Sequence, residues 1–153
     1  MKKIKIYTDG SSIGNPGPGG YGIILYWEGK IRELTGGYRK TTNNRMELLA
    51  VIIGLESLRY KPSNVTIFSD SKYVIDSIEK KWVFNWEKKN FKGKKNHDLW
   101  KRLLEIYREH EIKFRWIKGH NNHPQNERCD FLALQSAKGS SLSIDEFYEK
   151  NIK

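Results

Sequence analysis

Strand-like and helix-like segments take turns along this chain, and that alternation leaves few folds open. KKIKIYT reads as a first strand, and YGIILYWEGKIRELTGGYR as a hairpin turning near Glu28-Gly29-Lys30. NNRMELLAVIIGLESLRY has helical periodicity and ends at Lys61-Pro62, after which NVTIFSD returns to strand character. Asp70-Ser71 is placed to cap the helix SKYVIDSIEK. Beyond a basic segment come the helix DLWKRLLEIYREH, the strand IKFRWIK, the helix NERCDFLALQSA and a short helical stretch at SIDEFYEKN. This order predicts an α/β fold with helices packed on a sheet. No repeat or low-complexity linker divides the 153 residues, so a single domain over 1–153 with its own core is expected.

No stretch approaches the roughly 20 apolar residues of a membrane span, and MKKIKIYTDG lacks the apolar core of a secretion signal. With Cys129 the only cysteine, no intrachain disulfide forms and a reducing cytoplasm is the expected setting. Charge is more informative. Lys and Arg number 28 against 18 Asp and Glu, a formal net charge of +10 that attracts a polyanion. The excess concentrates in KKWVFNWEKKNFKGKK, which carries seven lysines against the one acid Glu87. There Lys80, Lys81, Lys88 and Lys89 are suited to phosphates, while Trp82 and Trp86 would lie against sugars or bases. The competing reading is a solvated helical face whose tryptophans belong to the core.

Four carboxylates stand where charge is normally avoided. Glu47 shares a helical stripe with Ala50, Val51, Gly54, Leu55 and Leu58, which aims it at the sheet. Asp130 shares one with Ala133, Leu134 and Ala137. Asp9 and Asp70 each stand at the C-terminal end of an expected strand, where open α/β sheets place their ligand sites. Singly, each has a local explanation as a turn former, a cap or a partly exposed helix residue. Jointly, acids facing one point repel unless a cation joins them, and an all-oxygen set suits Mg²⁺ or Mn²⁺. In a basic protein, an acidic pit holding divalent metal suggests phosphodiester chemistry.

His120 and His123 with nearby Cys129 form the outline of a zinc site, but a closed site needs a fourth ligand and no second cysteine exists. His120, in the Gly- and Asn-rich loop KGHNNHP, suits a proton carrier better. Gly17, Gly19 and Gly22 match G-x-G-x-x-G literally. The strand-like YGIILYW that follows, where a helix would be needed, makes the match spurious.

Taken together, TDGSSIGNPGPGGYG, TTNNRMELLA, SDSKYVIDSI and KGHNNHPQNERCDFLA, in this order and spacing, closely resemble bacterial type 1 ribonuclease H from about Lys3 to Ala137. The resemblance implies a five-stranded mixed sheet, its first three strands antiparallel, with helices on both faces. It also implies cleavage of the RNA strand of an RNA/DNA hybrid. By motif, Asp9, Glu47, Asp70 and Asp130 match the family's metal-binding carboxylates: Asp9 bridges two ions, Asp130 completes the site that activates water, and Glu47 with Asp70 hold the other ion. His120 matches a loop histidine that helps proton transfer or product departure, and KKWVFNW matches the start of a basic protrusion that grips DNA. Asn15, Asn43 and Asn44 match positions touching the hybrid's minor groove, which the neighbouring glycines would let the backbone approach. Thr42 with Lys40 fits the pocket for a DNA-strand phosphate.

The expected protein is thus a monomeric, cytoplasmic, Mg²⁺-dependent nuclease acting on RNA/DNA hybrids, with no membrane or obligate protein partner. It would leave 5′-phosphate and 3′-hydroxyl ends. Rival readings are a hybrid-binding module without catalysis, a DNA-directed nuclease or strand-transfer enzyme on the same fold, and a zinc-stabilised basic protein. The protrusion is a few residues shorter than in the best-known form, and the tail after Ala137 matches no motif.

Overall fold

The computed structural model describes residues 1–118 and 123–151. The elements are β1 (Lys3–Ser12), β2 (Gly17–Trp27), β3 (Lys30–Thr41), α1 (Asn43–Glu56), β4 (Asn64–Ser69) and α2 (Lys72–Glu79). They continue as α3 (Trp82–Lys88), α4 (His97–Tyr107), β5 (Glu111–Trp116), α5 (Pro124–Ala137) and α6 (Glu146–Asn151). The strands form one sheet in the order β3-β2-β1-β4-β5. β1, β2 and β3 are antiparallel, whereas β4 and β5 join in parallel. Glu28 and Gly29, with φ of 49° and 75°, make the two-residue hairpin turn whose twist suits paired strands.

Three local readings change. β1 runs on to Ser12 rather than stopping before Asp9, because the glycine-rich start of β2 is itself strand and pairs with it from Gly22 to Gly19. α1 stops at Glu56, where Ser57 caps it and turns its hydroxyl back to the Gly54 carbonyl, although helical periodicity continues to Tyr60. The basic segment contains a short helix, α3.

The helices cover both faces of the sheet. On one side α1 packs against β1 and β2, its Gly54 closing onto Ile6 and Ile23, and α4 lies behind α1. On the other side α5 crosses β1, β2 and β3, with the Cys129 thiol donating to the Tyr7 carbonyl. At several glycines the contact is backbone to backbone. A Cβ on Gly10 would lie 2.3 Å from the Met46 carbonyl carbon of α1, and one on Gly22 would lie 2.3 Å from the Cys129 carbonyl oxygen of α5. These glycines of the opening stretch therefore bring helices onto the sheet. Beneath them, Ile6, Ile23, Leu48, Leu55, Ile67 and Trp100 are fully buried.

Candidate metal centre and nucleic-acid surface

Parallel pairing of β1 with β4 ends at Tyr7 opposite Phe68. Continuing that register by two residues brings Asp9, still inside β1, level with Asp70, which immediately follows β4. From the α1 side Glu47 reaches over, its Oε1 accepting the Gly10 N–H at 2.5 Å. This close approach is available because position 10 has no side chain. The carboxylates of Asp9, Glu47 and Asp70 offer oxygens all within 4.8 Å of one another. Asp130 of α5 lines the same cavity, of about 380 Å³, outside that three-residue group but near enough to help raise the Asp9 carboxyl. The four acids singled out in the sequence thus border one space.

Asp70 is free to face that space because its neighbour does the capping. Ser71 Oγ accepts from Val74 N–H at the start of α2. The two roles separate experimentally. Ser71→Ala should lower stability by about 1 kcal/mol, the worth of a cap, without removing one of the clustered carboxylates. Asp70→Asn should leave α2 intact and lower turnover without the loss of stability expected of Ser71→Ala. Thermal melting and steady-state cleavage of both variants check this, and equal effects on both readouts would contradict it.

Electrostatics make the cluster costly without a cation. Burial pushes the Asp9 carboxyl up to about 8, helped by the Asp70 charge and by Asp130, against the opposing pull of the Gly10 N–H. Burial likewise holds the Glu47 carboxyl well above its usual range, with Asp9 and Asp70 adding to it. Three to four hard oxygen donors at this spacing fit a divalent cation of the Mg²⁺ or Mn²⁺ kind. Among the described residues this is the one such group of acids, histidines or cysteines. His123 caps α5 through Nδ1, and the Cys129 thiol is buried against Tyr7, so both have structural partners. His120 lies outside the described residues.

The polar residues expected at the substrate cluster next to the cavity. Asn43 Oδ1 accepts from Ser12 N–H at 2.6 Å, and Asn15 Oδ1 accepts from Asn43 N–H at 3.1 Å, lacing the β1–β2 loop to the start of α1. Thr42 caps α1, its hydroxyl accepting from Arg45 N–H, and Lys40 is exposed beside it. Asn44 borders both the acidic cavity and a second one reached by Asn15 and Thr42. In the basic segment Lys80, Lys81, Lys88 and Lys89 are exposed. Trp82 is 44% exposed, with Lys80 Nζ 5.2 Å from its ring centre. Trp86 instead packs edge-on against buried Trp100, with Lys94 Nζ over its ring.

Two residues escaped the sequence reading. Arg45, its side chain 3% exposed, is gripped by Asp98 and by Asp145 of the tail. The signal was present for Arg45, a charge in the apolar stripe it shares with Leu48, Leu49 and Ile52; Asp145 gave none.

The chain resembles known proteins across almost its full length. A family model for RNase H matches residues 1–138. Ribonuclease H of Lachnoclostridium phytofermentans is 53% identical over 158 residues, covering 96% of this chain and 99% of that protein. Ribonuclease H of Desulforamulus reducens is 50% identical over 150 residues, covering 95% and 94%. Among solved structures, LC9-RNase H1, a type 1 RNase H with the type 2 active-site motif, superposes with a TM-score of 0.83 at 30% identity over 98% of this chain and 80% of that one. LC11-RNase H1 in complex with RNA/DNA hybrid superposes with a TM-score of 0.69 at 25% identity, covering 88% of this chain and 96% of that one. With its five-stranded mixed sheet and its acidic cluster, the chain belongs to the ribonuclease H family of metal-dependent nucleases.

Proposed function

We propose that this protein hydrolyses the RNA strand of RNA/DNA hybrids endonucleolytically, with Mg²⁺ as its metal, leaving 5′-phosphate and 3′-hydroxyl ends, and that it works as a cytoplasmic monomer. The observation that carries the reading is the gathering of Asp9, Glu47 and Asp70 within 4.8 Å, beside asparagines and a basic segment suited to a nucleic-acid backbone. When bound, two divalent ions supply activation of the attacking water and stabilisation of the leaving oxygen. Asp9, Glu47, Asp70 and Asp130 hold them, and the Gly10 N–H keeps the Glu47 carboxylate turned to the site. Asn43 and Asn44, at the cavity edge, face the minor groove, where 2′-hydroxyls mark the RNA strand. Asn15, hydrogen-bonded to the Asn43 N–H, faces the same groove; Thr42 and Lys40 hold a phosphate of the DNA strand, and the lysines around Trp82 hold its continuation. Selectivity follows because duplex RNA misplaces that phosphate and duplex DNA lacks the hydroxyl. His120 assists proton transfer or product departure.

Support also comes from LC11-RNase H1, whose structure was solved with RNA/DNA hybrid bound. No helix among the described residues is long and apolar enough to cross a membrane. The test is incubation of a hybrid labelled on either strand with Mg²⁺: only RNA should be cut, duplex DNA should survive, and EDTA should stop the reaction. Cutting of the DNA strand, or no cutting above the EDTA control, would overturn the reading.

A further inference from the structure

Residues 139–151 lie beyond the family match, yet they are built into the same end of the molecule as Asn15 and Thr42. Ser143 extends the edge of β3, donating from its N–H to Gly37 O and accepting from Arg39 N–H, both at 2.9 Å. Asp145 then accepts from Arg45 Nε at 2.7 Å and from the Thr41 hydroxyl at 2.8 Å. Phe147 lies on the Arg45 guanidinium and against His97, and Glu149 turns back to Arg39. These contacts fix α6 so that Tyr148 and Asn151 line a cavity of about 620 Å³. Its other walls include Asn15 and Thr42 on one side and Lys94 and Lys95 of the basic segment on the other. No acid is among the described residues that line it. An opening with amide, hydroxyl and aromatic walls and two lysines is chemically matched to a sugar-phosphate backbone.

We propose that the C-terminal segment is part of the substrate-binding surface, with Tyr148 and Asn151 contacting the DNA strand of the hybrid between the phosphate held at Thr42 and the basic segment. This rests on the hybrid-cleaving function proposed above. The strand is DNA because the RNA strand must bring its scissile phosphate to the acidic cavity, which leaves its partner to follow the neighbouring one across Asn44.

The test compares the full-length protein with Tyr148→Ala/Asn151→Ala by steady-state cleavage of a labelled hybrid, direct binding of that hybrid in EDTA, and thermal melting. The variant should raise KM and the dissociation constant by about fivefold or more, the lower range for loss of one aromatic contact to nucleic acid. It should keep kcat within about twofold and Tm within about 2 °C, and Tyr148→Phe should bind as wild type does. Unchanged KM and binding would overturn the inference, and so would weaker binding accompanied by a matching fall in Tm. If the wild-type protein failed to cut the hybrid, the functional reading would fall by itself. Equal binding by wild type and variant in EDTA would then still count against the tail.

Discussion

Asp9→Asn should lose hybrid cleavage by about a thousandfold or more, since a metal ligand shared in phosphodiester hydrolysis stands behind several kcal/mol of transition-state stabilisation. The same substitution should stabilise the metal-free protein. The folded protein holds the Asp9 proton up to about pH 8, whereas the unfolded chain releases it near 3.8. The folded state therefore binds more protons between those values, and the stability present below about pH 4 drains away as pH rises through 8. Glu47 shifts in the same direction and shares the repulsion. At neutral pH, keeping a proton that the unfolded chain would release thus costs the fold on the order of a few kcal/mol. Asn keeps the shape and has no proton to hold against release, so the metal-free melting temperature at pH 7 should rise by about 5 °C or more, at roughly 2–4 °C per kcal/mol for a chain of this size. Near pH 4 the difference should shrink. Mg²⁺ should raise the wild-type melting temperature more at pH 8 than at pH 5, and the Asp9→Asn temperature less than either. Calorimetry across pH with and without the ion reads all three. A variant that melted at or below wild type at pH 7 would show that the carboxylates do not strain the fold, and the metal centre would lose its electrostatic rationale.

The way the acids show in the sequence explains what stayed hidden there. Glu47 and Asp130 break an apolar stripe, and a broken period is something a sequence displays. Asp9 was visible for a partly mistaken reason. It was expected at the end of its strand, yet β1 continues past it; what ends just before it, at Tyr7, is the pairing with β4, a fact set by a distant segment of the chain. The hairpin was legible because Glu28-Gly29 sits between two alternating runs. The end of α1 was not, because Ser57 stops the helix with a hydroxyl-to-carbonyl bond while the periodicity runs on. Trp82 and Trp86 looked alike in a basic stretch, and only the position of Trp100 in α4 makes one exposed and the other a prop of the core. Most opaque was the tail: SLSIDEFYEKN carries a short helix signal, but its anchor is a long-range ion pair that no local pattern encodes.

That anchor should be the costliest polar contact to break. Arg45 is enclosed with Asp98 at 2.7 Å and Asp145 at 2.7 Å, and the Asp145 carboxylate also takes the Thr41 hydroxyl and, at 3.3 Å, the Tyr148 N–H. Such a network is only weak evidence for net stability as a whole, because taking its charges out of water is expensive. Removing one member is another matter, since the guanidinium stays buried with less to balance it. Asp98 remains in Asp145→Ala, which places the loss near the lower end for a broken buried pair, about 3 kcal/mol, or roughly 6–12 °C in melting temperature. Asp145→Asn keeps the acceptor oxygen and should lose less. Asp98→Ala with Asp145→Ala should cost more than the sum of the two single losses, because only then is the buried cation wholly uncompensated. Deleting residues 139–153 should destabilise at least as much as Asp145→Ala, since it also strips Ser143 from β3 and Phe147 from Arg45. A truncated protein melting at the wild-type temperature would mean that the segment rests on the domain without holding it. The start of α1, where Thr42, Asn43 and Asn44 stand, would then owe its position to Asp98 and the β1–β2 loop alone.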